Sequence, residues 1–131
     1  MEVLKLGLSL YYEAKRENQI SMEERTACDE IIKRYSEQYP FEEKYEDFVV
    51  FALDKKTDTI FSGATKLPHS DLQFMFDVAN YWLKCLTEIT NVLVGCQWKV
   101  MFEEVDLIFD EKEGWRFPSD EEYEQVTLEN Y

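Results

Sequence analysis

Few residues in this 131-residue chain have the types and spacing that catalysis or metal binding requires. His69 is the only histidine, which excludes every metal site built on two or more histidines. No local signature joins this histidine to any of the three cysteines, Cys28, Cys85 and Cys96, as the base of a nucleophilic thiol. Because the cysteines are odd in number and form no CxxC pair, we expect free thiols in a reducing compartment.

Four carboxylates lie close enough in the chain to hold Mg²⁺ or Ca²⁺, which prefer oxygen ligands; they are Glu103, Glu104, Asp106 and Asp110. Their spacing is not that of an EF-hand loop, and residues 110–112 imitate the Glu-x-Lys element of some nucleases only weakly. The chain has four glycines without a glycine-rich phosphate loop, and neither G-x-S-x-G nor H-E-x-x-H occurs. The sequence therefore predicts a protein that is not an enzyme and has no cofactor or metal site.

The chain is strongly acidic, with 28 Asp and Glu against 14 Lys and Arg and a formal net charge of −14. This balance argues against direct binding to nucleic acid or to an anionic membrane, because both need clustered cations. A solvated surface is the simplest interpretation of acidity, but the charge is unevenly placed. Residues 103–131 contain eleven acids and only two bases, Lys112 and Arg116. This acidic end is the candidate binding region.

Acidic side chains along an edge, with aromatic residues among them, can imitate the phosphates of a nucleic acid and occupy the basic groove of a nucleic-acid-binding protein or nuclease. Small nuclease inhibitors, bacterial immunity proteins and phage-encoded anti-defence proteins of the anti-CRISPR kind share this general character. We recognise no family motif in the sequence. The predicted partner-binding residues are Glu103, Glu104, Asp106, Asp110, Glu111, Glu113, Trp115, Asp120, Glu121, Glu122 and Tyr123.

An alternative function uses an apolar helical face instead of charge. Cys28, Ile31, Ile32 and Tyr35 form one stripe at helical spacing. An accessory or scaffold protein could dock a partner, or a second copy of itself, through this stripe. The acidity would then be incidental, and binding would be largely indifferent to salt.

The chain is expected to be cytoplasmic. Its first residues include Glu2 and lack a small-residue cleavage site, so no signal peptide is predicted. The longest apolar segment carries Asp77, Lys84 and Glu88 and is therefore not expected to span a membrane.

That apolar segment, residues 70–94, is the predicted central helix. Ser70 with Gln73 matches a capping box at its start, and Gly95 is placed to end it. Its residues are apolar over most of the helix circumference, so the helix must be covered on several sides. We predict one α+β domain over residues 1–131, in the order α-α-β-β-α-β-β-(α), with an antiparallel sheet packed on this helix.

The N-terminal segment, residues 3–15, is ambiguous, because its leucines fit both strand alternation and helical spacing. Helix propensity favours a helix, which would form an N-terminal αα-hairpin with the helix that begins at Ser21 and ends at Tyr39 before Pro40. Ser21 and Glu24 match a capping box.

The remaining segments are predicted strands. Residues 48–53 and 59–65 are rich in β-branched and aromatic residues and predict a β-hairpin. Residues 98–109 alternate on one face except at Glu103 and Glu104, which predicts a bulge or bend. A turn at 110–114, a return strand at 115–117 and the start of a helix at 119–123 complete the prediction.

Overall fold

The computed structural model describes residues 8–51, 57–69 and 71–123. The elements in these ranges are β1 (Leu8–Lys15), α1 (Met22–Glu37), β2 (Thr59–Leu67), α2 (Leu72–Val92), β3 (Gln97–Phe102), β4 (Val105–Asp106), β5 (Ile108–Asp110) and β6 (Gly114–Arg116). Among the described residues, four strands form an antiparallel sheet in the order β2-β1-β3-β4, and two more form a separate hairpin, β5–β6. The predicted α+β class is confirmed.

The central helix is confirmed as α2, whose buried residues include Trp82, Leu86 and Ile89. Its N-cap is Asp71, whose carboxylate accepts the Phe74 N–H at 3.0 Å. The predicted capping box of Ser70 with Gln73 is therefore wrong, and the Gln73 amide instead donates to Asp77. Ser70 itself lies outside the described residues. Gly95 follows the helix with a φ of 76°, the left-handed conformation that glycine adopts readily.

The predicted N-terminal helix is wrong where the structure describes it, because residues 8–15 form a strand. Leu10, Tyr12 and Ala14 are buried, whereas Tyr11 and Lys15 are exposed, which is the alternation of a strand. β1 pairs with β2 on one side and with β3 on the other. These two ladders satisfy its backbone and override a helix propensity that is only a weak preference. The N-terminal αα-hairpin therefore does not form, and the predicted element order is corrected.

The predicted hairpin of residues 48–53 with 59–65 is also replaced. β2 takes β1 as its ladder partner, and residues 48–51 contribute a single bridge, from Val50 to Gly63. Phe51 N–H donates to the Ser62 carbonyl at 2.8 Å. The segment thus covers the outer edge of β2 without becoming a regular strand. Residues 52 and 53 of the predicted strand lie outside the described part of the chain.

Glu103 and Glu104, where the sequence predicts a bulge or bend, form a tight turn. Phe102 pairs with Val105 across these two residues, and Glu103 has a φ of 52°. The chain therefore reverses direction between β3 and β4, as in a two-residue β-hairpin. The predicted turn at 110–114 and the return strand after it are confirmed as the β5–β6 hairpin, and a helical turn begins at residue 120.

Helix α1 begins where the sequence predicts, with a complete capping box between Ser21 and Glu24. Glu24 also binds the Arg16 guanidinium, and these bonds lower the pKa of Glu24 to about 2. Neither helix of the described ranges is long and apolar enough to cross a lipid bilayer.

Candidate partner-binding surface

Two threonines of α2 fasten the acidic β5–β6 hairpin to the domain. The Thr87 hydroxyl accepts the Trp115 backbone N–H at 3.0 Å and donates to the Leu83 carbonyl at 2.8 Å. The Thr90 hydroxyl accepts the Trp115 indole N–H at 2.9 Å and donates to the Leu86 carbonyl at 2.8 Å. Each hydroxyl is used as both donor and acceptor, so the hairpin has a defined position on the helix.

Gly114 lets the hairpin approach α2 this closely. Its φ is 83°, and a Cβ at this position would lie 2.4 Å from Thr87 Oγ1. Trp115 is only 8% exposed and contacts the rings of Trp98 and Phe109. The indole predicted as a binding residue therefore anchors the hairpin from within.

Thr87→Val is expected to destabilise the domain by about 1–3 kcal/mol, because the Trp115 N–H loses its acceptor while remaining partly buried. Urea unfolding followed by tryptophan fluorescence measures the change in the free energy of unfolding. Thr26→Val, at an exposed position of α1, is the control and should stay within about 0.5 kcal/mol of the wild type. Equal stability of the two variants would contradict the anchoring role of Thr87.

Some of the predicted binding acids hold the structure together. The Glu103 carboxylate accepts the Ser9 N–H at 2.7 Å and so satisfies a donor of β1. The Asp110 carboxylate accepts the N–H groups of Lys112 at 2.8 Å and Glu113 at 3.2 Å, which closes the turn of the hairpin. These backbone donors, Lys112 first, lower the pKa of Asp110. Glu103 and Asp110 are therefore structural as well as acidic.

Glu122 is held in the same way. Arg116 contacts both of its carboxylate oxygens, at 2.8 and 3.1 Å, and the Ser119 N–H donates to it at 2.9 Å. The bonds with Arg116 lower the pKa of Glu122 to about 2. The Nε of Arg116 also lies 3.4 Å from Asp110 Oδ2, so one guanidinium connects two acids from separate segments.

The side chains of the other predicted acids are exposed, and their carboxylates have no hydrogen-bond or ion-pair partner among the described residues. Glu111 and Glu113 lie at the tip of the β5–β6 hairpin, and Asp106 is opposite Met101 on the sheet edge. Their charges are therefore available to another molecule. This set, which we call the available acids, comprises Glu104, Asp106, Glu111, Glu113, Asp120 and Glu121.

The exposed aromatic residue of the hairpin is Phe109, which is 40% exposed and was not among the predicted binding residues. It belongs to the same alternating run as Leu107, which is buried. No sequence signal separates the two, because both are apolar residues at alternate positions of one run. Tyr123, which was predicted, is 48% exposed.

No relative indicates a function for this surface. Models of known protein families, curated proteins and solved structures were compared with the chain, and none matches it. The function must therefore be inferred from the chemistry of the side chains themselves.

The cysteines and the histidine that were considered for catalysis lie within the described residues. Burial raises the pKa of the Cys28 thiol to about 11 and also raises the pKa of Cys85. Reactive thiols need the opposite shift. The His69 ring packs edge-on against Tyr45, with centroids 5.5 Å apart. Within the described ranges, no group of three or more His, Cys, Asp or Glu side chains is placed to hold a metal ion.

An open cleft of about 780 Å³ lies beside the end of β1 and includes Arg16 and Glu24 in its lining. Arg16 donates to both oxygens of Glu24 and to the carbonyls of Asn18, Gln19 and Val94. Its donors are thus engaged in joining the ends of β1, α1 and α2. We assign this arginine a structural role.

The helical stripe of the alternative function packs inside the domain. Cys28 is 3% exposed, and Ile31, Ile32 and Tyr35 pack against the core. The Tyr35 hydroxyl donates to Glu88 of α2. This face of α1 is therefore largely used by α2, which leaves the acidic end as the more accessible of the two predicted surfaces.

Proposed function

We propose that this protein is a non-enzymatic, cytoplasmic inhibitor that masks the basic surface of a nucleic-acid-binding protein or nuclease, in the manner of immunity and phage anti-defence proteins. The observation that supports the proposal is the division of the acidic end. Glu103, Asp110 and Glu122 fasten its segments, while the available acids carry charge that no described residue neutralises. The surface binds protein and not nucleic acid directly.

Electrostatics supports this choice of partner. Exposed like charges repel one another and weaken the folded state, so their concentration at one end favours a compensating partner. A basic groove that binds phosphates supplies that compensation. Complementary charge mainly accelerates association and depends strongly on salt, because the screening length falls from about 14 Å at 0.05 M to about 4 Å at 0.5 M.

Phe109 supports a complex that dissociates slowly. Its ring is partly exposed and is backed by Trp115, with ring centroids 5.1 Å apart. Aromatic side chains at the centre of an interface contribute much of its binding free energy, whereas charges at the rim contribute mainly to the association rate. We therefore place Phe109 at the centre of the contact and Glu111 and Glu113 at its rim.

Capture from a cell lysate across a salt series tests the proposed function. The tagged protein is washed at about 0.05 to 0.5 M salt, a range over which screening changes severalfold. A nucleic-acid-binding protein that is recovered at low salt and lost steeply as salt rises is the expected result. A partner retained undiminished at the highest salt, or recovery of the protein alone, would contradict masking through charge.

A further inference from the structure

We propose that Arg116 is a positioning residue that joins the β5–β6 hairpin and the C-terminal turn, residues 119–123, into one acidic surface. The effect of Arg116 on partner binding rests on the proposed function. The joining of the two segments does not, because it concerns contacts within the chain. A cation at the middle of the most acidic region thus serves to arrange the negative charges around it.

The C-terminal turn lies at the surface of the domain. The last aromatic anchor before it is Phe117, which contacts the rings of Phe76 and Phe102 with centroids 5.0 and 5.3 Å away. None of residues 119–123 is buried. The turn is organised locally by Ser119, whose hydroxyl accepts the Glu122 N–H at 3.2 Å and whose carbonyl accepts the Tyr123 N–H. Both of these bonds lie within the turn.

Arg116 bonds the C-terminal turn to the hairpin. Its planar guanidinium presents a fork that matches both oxygens of Glu122, and its remaining donors reach Asp110 and the Phe117 carbonyl at 3.2 Å. The carboxylates of Asp110 and Glu122 both contact this guanidinium, and they would repel each other without a cation between them. Through Arg116, the turn that carries Asp120 and Glu121 is bonded to the hairpin. A pre-arranged surface binds more tightly than a mobile one, because less ordering remains to be done on binding.

Amide hydrogen exchange of Arg116→Gln tests the structural part without any partner. Exchange at the Glu122 and Tyr123 amides is expected to accelerate about two- to fivefold, the range of an exposed ion pair. The Trp115 amide, which donates to Thr87, should be unchanged. Arg34→Gln is the matched control, because it alters the net charge equally and breaks the ion pair with Glu88 elsewhere. Arg116→Lys should restore protection only in part, since an ammonium cannot form the fork.

Unchanged exchange at Glu122 and Tyr123 in Arg116→Gln would overturn the proposal. Accelerated exchange at Trp115 as well would also overturn it, because Arg116 would then support the whole hairpin.

The protein captured from lysate is the probe for binding. Glu121→Lys should weaken its binding about fivefold in the wild type and less than about twofold in the Arg116→Gln background. If Glu121→Lys weakens binding equally in the wild type and in Arg116→Gln, Arg116 does not join the two segments into one binding surface.

A wrong proposed function would give a different result from a wrong role for Arg116. In that case neither Glu121→Lys nor reversal of Glu111 and Glu113 would change binding in the wild-type background, while the exchange experiment would still decide the role of Arg116.

Discussion

Gly63→Ala is expected to destabilise the domain by about 3 kcal/mol or more, and to lower its melting temperature by about 10 °C or more. A Cβ at Gly63 would lie 2.0 Å from the Val49 carbonyl oxygen and 2.4 Å from Cε2 of Tyr12. Neither neighbour can yield easily. The Val49 carbonyl accepts the Tyr12 hydroxyl at 2.6 Å, and the Tyr12 ring is 2% exposed and stacked on Phe48 at 4.4 Å. The methyl group would therefore separate β1, β2 and residues 48–51.

Thermal and urea unfolding of Gly63→Ala measure this loss. Gly95→Ala is the matched control, because Gly95 has a positive φ but no atom within 4 Å of the place where the added methyl group would lie. Its expected cost is about 1 kcal/mol, from the left-handed backbone alone. If the two variants lose the same stability, steric exclusion at Gly63 is not the cause.

Reversing four available acids to lysine, at Glu104, Asp106, Glu111 and Glu113, is expected to weaken binding of the captured partner on the order of 100-fold at low salt. The fold should be preserved, because these side chains are not bonded to described residues. Glu103 and Asp110 are left unchanged, since their reversal would also remove the bonds to Ser9 and to the turn of the hairpin. The affinity is measured by titration at several salt concentrations.

A second quartet separates this surface from net charge. Asp29, Glu30, Glu37 and Glu42 are exposed and lie outside residues 103–131. Their reversal to lysine changes the net charge of −14 by the same amount, since each site loses one negative charge and gains one positive charge. This quartet should retain most of the affinity. Equal weakening by both quartets would show that binding follows total charge, and the assignment of the acidic end would then be wrong.

Local sequence patterns were sufficient for several elements. The apolar run that became α2, the Ser21–Glu24 capping box of α1 and the turn at 110–114 were all predicted correctly. In each case the signal acts over a few residues: helical periodicity, a side chain bonded to a nearby amide, or turn-forming residues. Such interactions are present in the isolated segment, so the sequence can indicate them directly.

Tertiary packing decided the elements whose partners are distant. Residues 8–15 form a strand because β2 and β3 lie on either side of them, and neither neighbour is adjacent in sequence. The β2 strand was recognised, but its partner was wrong, because pairing depends on which edge becomes available as the sheet assembles. Local propensity is too weak to decide against two ladders of backbone hydrogen bonds.

The same limit applies to the acidic end. Its composition alone identified residues 103–131 as the candidate surface, since charge and residue type are properties of the sequence. Only the folded chain brings Ser9 to Glu103, and Arg116 to both Asp110 and Glu122. Those contacts separate the acids that hold the domain together from the acids that remain available. Because the free energy of a carboxylate depends on its neighbours in space, the sequence determined where the charge is concentrated, and the tertiary structure decided which charges another molecule can use.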